Sequence, residues 1–274
     1  MRGEKRAAFA VTAGSIVALV SCLATDASAD TFNLGIPSGW TCAGNCGTAA
    51  AAGVVTLAPD GGTQYGWVST ALGQGDVALE GVGGIGNPTN GSVLRSSLFS
   101  ADAGDALDFY FNYVTSDGAE FTDYAWARLL DPALDEVALL FTARTAESGS
   151  IVPGFAMPSP QATLSPASVP IISGGPAWSP LGADSGACYD AGCGYTGWVL
   201  SNFAIASAGN YILEFGVTNW TDEFYDSGLA FDGVTVGGVP IDEPPPVQAP
   251  EPATLMLLGT GLVGLLGIRR RSQA

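Results

Sequence analysis

Leu107-Asp108-Phe109-Tyr110-Phe111-Asn112-Tyr113 is the stretch on which the fold turns. In an extended chain Leu107, Phe109, Phe111 and Tyr113 fall on one side and Asp108, Tyr110 and Asn112 on the other, the period-two pattern of a half-buried strand. Tyr211, Leu213, Phe215 and Val217 repeat it against Ile212, Glu214 and Gly216. Strands also fit Tyr124 to Leu130, Val137 to Thr142, Trp198 to Phe203 and Leu229 to Val236, with shorter ones over 53–58 and 64–70, bounded by Gly or Pro. No long helical periodicity separates them. Many short strands at regular spacing predict an all-β domain, an antiparallel two-sheet sandwich of jelly-roll type. Residues 145–187 interrupt the rhythm with seven prolines and read as a long surface excursion, the kind of segment that carries binding surfaces.

The two ends do not belong to that domain. Arg2, Lys5 and Arg6 precede an apolar segment from Ala7 to Leu23, and Ala27 and Ala29 supply the small residues that signal peptidase reads. Residues 1–29 are therefore expected as a signal peptide. An alternative start is Leu19-Val20-Ser21-Cys22, which resembles a lipobox and would make Cys22 a lipidated first residue. Residues 30–243 then form one domain, 244–249 a Pro-rich linker with Pro244-Pro245-Pro246 as an extended spacer, and 250–274 a separate tail. The domain holds 23 acids against Arg95, Arg128 and Arg144 only, about 20 units negative. That charge repels phosphate backbones, so nucleic acid is excluded as a partner, and it attracts divalent cations. Cys42, Cys46, Cys188 and Cys193 form two close pairs, which in an oxidising compartment read as disulfides. Local and crossed pairing both fit the spacing, and a four-cysteine zinc site is the alternative.

In the tail, Pro250-Glu251-Pro252 precedes an uncharged apolar run, 253–268, and then Arg269-Arg270-Arg271. As a helix the run extends roughly 24 Å at 1.5 Å per residue, somewhat less than a hydrocarbon core of about 30 Å. The arginines can snorkel to the headgroups and fix that end in the cytoplasm, which places the preceding domain outside. This order of Pro-Glu-Pro, short span and arginine cluster resembles the PEP-CTERM sorting signal of Gram-negative bacteria that make extracellular polysaccharide. The resemblance implies a transmembrane sorting helix lodged in the inner membrane before processing, an exosortase as partner, and release to the cell surface or matrix. The segment from Trp198 to Val236, with Asp232-Gly233 before its last apolar pair, looks like the closing strands of carbohydrate-binding-module-like jelly rolls.

The chain has no histidine, which removes Ser-His-Asp triads, Cys-His dyads and histidine-ligated metal centres. No phosphate-binding glycine motif opens a helix. Carboxylate chemistry remains. Two patches combine carboxylates with aromatic residues: Asp117, Glu120 and Asp123, then Asp222, Glu223 and Asp226. Calcium takes six to eight oxygens from such loops, so calcium is the expected cofactor if there is one, against solvated loops as the plain alternative. Of six tryptophans, Trp178 in the proline-rich excursion and Trp220 beside the second patch are the candidates for stacking on sugar rings. The expectation is an exported, non-enzymatic sandwich that binds extracellular polysaccharide in a biofilm matrix. A carbohydrate-active enzyme using two carboxylates and a structural surface protein without a specific ligand are the alternatives.

Overall fold

The computed structural model describes residues 31–241. The signal-cleavage residues Ala27 and Ala29, Cys22, the linker 244–249 and the tail with Pro250, Glu251, Pro252, Arg269, Arg270 and Arg271 lie outside the described residues. The strands that build the sandwich are, in chain order, β1 (Thr41–Ala43), β2 (Asn45–Ala49), β3 (Tyr65–Ser69), β4 (Pro88–Arg95), β5 (Ala106–Thr115), β6 (Tyr124–Leu130), β7 (Glu136–Arg144), β8 (Thr163–Ser165), β9 (Val199–Ala204), β10 (Gly209–Trp220) and β11 (Ser227–Val236). One sheet runs β1-β4-β10-β6-β7 and the other β8-β9-β5-β11-β3-β2, with antiparallel pairing throughout. The expected all-β sandwich is thus present.

The alternating residues of β5 and β10 supply its core. Leu107, Phe109, Phe111, Tyr113, Leu213, Phe215 and Val217 are all fully buried. Two aromatic stacks tie the sheets together: Phe111 lies face to face on Phe141 at 3.8 Å, and Phe215 on Phe231 at 3.9 Å. Phe109 meets Phe215 edge-on at 5.2 Å. Offset and edge-on ring pairs add stability beyond the apolar area they bury.

Neither outer face is left bare. On the second sheet the proline-rich excursion folds back, and a short 3-10 turn, Ser179–Asp184, brings Trp178 and Leu181 down on Tyr65, Val114 and Ala230. On the first sheet Val77 and Leu79 cover Val93, Tyr124, Trp126, Leu139 and Trp220. The strand expected over 53–58 is instead a loop with one bridge, Ala52 to Val55, and Val55 is buried beneath the excursion.

Cysteine pairing is local, with Cys42 bonded to Cys46 and Cys188 to Cys193. The first bond spans a corner: Cys42 belongs to β1 in one sheet, Cys46 to β2 in the other, and Gly44 turns between them at φ +89°. A Cβ on Gly44 would lie 2.3 Å from the Ser92 hydroxyl, so only glycine fits. At the far end of the chain's path both described termini meet one residue. The Thr31 hydroxyl donates to the Val234 carbonyl at 3.4 Å, and the Ile241 amide donates to the same oxygen at 3.2 Å.

Candidate functional site

The register of the first sheet places three charged side chains in a row. Glu214 of β10 lies directly opposite Arg95 of β4 on one side and Arg128 of β6 on the other. Its carboxylate accepts from Arg95 Nε at 2.7 Å on one oxygen, and from Arg128 Nε at 2.5 Å and Trp126 Nε1 at 3.0 Å on the other. Burial alone would raise the Glu214 pKa, but the hydrogen bond and charge of Arg128, then Trp126 and Arg95, outweigh it and hold the carboxyl below its ordinary range. Gly216, on the same face two residues on, leaves the room that the Trp126 indole fills, since a Cβ there would lie 2.2 Å from the ring.

Two cavities that share Arg128 lie along this row, and together they are the groove. One cavity of about 170 Å³ is lined by Gln74, Asp76, Arg95, Trp126, Arg128 and Glu214, among others. A second, of about 510 Å³, is lined by Glu80, Gly81, Arg128, Leu134, Asp135, Glu136 and Pro158. Arg128 stands in the wall of both, with Nη1 3.8 Å from Glu136. Each arginine spends its Nε on Glu214, and the Arg95 side chain is 35% exposed. A guanidinium held through Nε is fixed in position while its other N–H groups stay available as donors. The arrangement offers fixed donors beside carboxylate acceptors, a chemistry suited to hydroxyl-rich ligands. Sequence reasoning missed this site, although Glu214 stood out as the single charge on the polar side of its strand.

The two acidic patches do come together, at the loop end of the sandwich. The Ser116 amide donates to the Asp226 carbonyl, and the Asp226 amide donates to Asp184 at 3.1 Å, adding a carboxylate that neither patch contained. Asp117 and Asp123 are buried, whereas Glu120 and Glu223 are exposed. Burial, with the charges of Asp222 and Asp184 behind it, pushes the Asp117 pKa up to about 8 despite a hydrogen bond from the Gly118 amide. Asp226 rises to about 6, through burial and then Asp184, against the Thr70 hydrogen bond. Asp123 is raised well above its ordinary value by burial and then by Asp117. Both of its oxygens are already engaged, by the Trp220 amide at 2.8 Å and the Ser227 hydroxyl at 2.6 Å. Among the described residues no group of three or more Cys, Asp or Glu side chains is placed to hold a metal ion. Neither of the two patches considered for calcium, Asp117, Glu120 and Asp123 or Asp222, Glu223 and Asp226, is such a group.

The two tryptophans expected as exposed platforms are buried. Trp178 is 1% exposed and donates from Nε1 to the Tyr65 hydroxyl at 2.8 Å. The excursion that carries it is a cover for the second sheet, which is why its tryptophan points inward. Trp220 is 4% exposed, donates to the Ile85 carbonyl at 2.8 Å, and has the Arg144 guanidinium 4.6 Å over its ring. Neither ring presents a free face to a sugar. Arg144, the third basic residue of the domain, is itself buried and spends its donors on Gly83, Thr122 and Phe155.

Comparison with known proteins adds little to the groove and much to the tail. The K1 cleaved adhesin domain of Lys-gingipain from Porphyromonas gingivalis is similar over 74% of this chain and 94% of its own, at 15% identity and a TM-score of 0.36. The enzymatically active domain of tailspike protein 4 of bacteriophage CBA120 is similar over 73% of this chain, at 12% identity and a TM-score of 0.32. This chain spans only 19% of that one. None of the curated proteins matches in sequence. Residues 248–271, in contrast, match the PEP-CTERM protein-sorting motif. The chain therefore carries a PEP-CTERM sorting motif, the mark of an exported, membrane-anchored precursor on the cell envelope that is processed by an exosortase.

Proposed function

We propose that the sandwich is a non-catalytic glycan-binding domain, exported by way of the periplasm, that attaches the sorted protein to extracellular polysaccharide in a biofilm matrix. The observation that carries this reading is the Arg95, Glu214 and Arg128 row at the floor of a groove across the first sheet. Two of the domain's three basic side chains are fixed there, in a domain otherwise about 20 units negative. Fixed donors flanked by acceptors give orientation and specificity to a polar ligand at little entropic cost. Support for a non-catalytic role comes from the protonation states. Glycoside hydrolysis needs one carboxyl that holds its proton beside one that does not. Glu214 is held ionised, and the acids with raised pKa values, Asp117, Asp123 and Asp226, lie at the loop end and line neither cavity.

The test is affinity electrophoresis of the full chain in detergent through gels containing purified exopolysaccharide, beside the double variant Arg95→Ala and Arg128→Ala. Retardation of the wild type that the double variant loses at least tenfold is the expected result. Equal mobility with and without polysaccharide, or release of reducing sugar, would overturn it.

A further inference from the structure

We infer that the groove takes a polysaccharide of amino sugars bearing free amines, an inference that rests on the glycan reading above. The smaller cavity balances two acids against two bases, and the larger sets three acids against Arg128 alone, so acid outnumbers base along the groove as a whole. Asp76, Glu80, Asp135, Glu136 and Glu214 face Arg95 and Arg128, and both guanidiniums are already paired with Glu214 through Nε. A uronate or sulfate ester would need an uncompensated guanidinium to repay its desolvation. It would meet a net negative groove in a strongly negative domain, whose summed field repels polyanions and draws in polycations.

The two cavities divide the work. In the smaller one Arg95 and Gln74 offer donors beside the acceptor Asp76, which matches a sugar hydroxyl acting as donor and acceptor at once. In the larger one Glu80, Asp135 and Glu136 stand around Leu134 and Pro158, and the one guanidinium there, Arg128, is tied to Glu214 and lies near Glu136. An ammonium group finds three carboxylates in that wall and an apolar surface for the ring that carries it. Arg128, shared by both cavities, touches two consecutive sugar units. Such a ligand is a polymer of hexosamine from which part of the N-acyl groups has been removed.

Titration calorimetry on the full chain in detergent would compare three oligosaccharides of equal length: glucosamine, N-acetylglucosamine and galacturonate. The expected order puts the free-amine oligomer about tenfold tighter than the acetylated one, the factor that 1.4 kcal/mol supplies, with the uronate weakest. The preference for the amine is expected to shrink with salt and to fall within twofold in the variant Asp135→Asn with Glu136→Gln. Both side chains are exposed, so the variant keeps the fold. Equal or tighter binding of the acetylated or uronate oligomer would overturn the inference and leave the glycan reading standing. Binding of none of the three, with no retention on whole exopolysaccharide, would overturn both.

Discussion

Glu214 shows how one residue type can be read in sequence without its partners. Its place on the polar side of an alternating strand turns it away from the core between the sheets, yet it is fully buried, because Arg95 and Arg128 stand opposite it from strands far away in sequence. Register alone makes that row. Removing the carboxylate leaves two guanidiniums facing each other and an unpaired indole N–H beneath them. Glu214→Ala is expected to lower unfolding free energy by about 3 kcal/mol, the usual cost of breaking a buried pair, measured in urea. A loss under about 1 kcal/mol would show that the row is solvated. Asp117 makes a pH-dependent contribution with the opposite sign to an ordinary salt-bridged carboxylate. The folded chain holds its proton up to about pH 8, whereas in the unfolded chain the group has the ordinary carboxyl value of 3.8. Stability from this group is therefore complete below about pH 4, declines as pH rises and levels off above 8. Asp117→Asn, which keeps the shape without the charge, should flatten that decline in thermal melts. Parallel wild-type and variant curves from pH 4 to 8 would count against it. The tryptophans were less legible: nothing in the neighbourhood of Trp178 announces that a proline-rich segment returns to the sheet.

At the level of elements, the strands that alternate were readable and the strands that do not were missed. β5 and β10 follow the period-two rule, and β6, β7, β9 and β11 carry enough apolar residues to be found. β4, inside the first sheet between β1 and β10, reads Pro88-Thr-Asn-Gly-Ser at its start, residues that usually mark a turn. It is a strand because of its neighbours: Gly91 passes against β10 so closely that a Cβ would lie 2.3 Å from the Val217 carbonyl. β1 and β2 were missed for a related reason, since they are short edge strands whose placement depends on the corner at Gly44. The Cys42 to Cys46 bond closes too small a loop to restrain the unfolded chain much. Its effect is expected to be local. In the double variant Cys42→Ser and Cys46→Ser, hydrogen exchange should quicken in β1 and β2, while global stability falls by no more than about 2 kcal/mol. Uniform loss of protection across both sheets would show that the corner supports the whole sandwich.

Over the whole molecule, fold class was legible because hydrophobic periodicity is a property of each strand alone, and the groove was not because it is a property of five strands in register. The tail was legible for the opposite reason: its Pro-Glu-Pro, apolar run and arginines are contiguous. Thr31 and Ile241 meet at the Val234 carbonyl. Val234 belongs to the second sheet, and the groove is built from the outer face of the first. The described ends, Thr31 and Ile241, therefore sit side by side at one corner of the second sheet. The domain is entered and left beside the second sheet, and the strands that line the groove carry neither end.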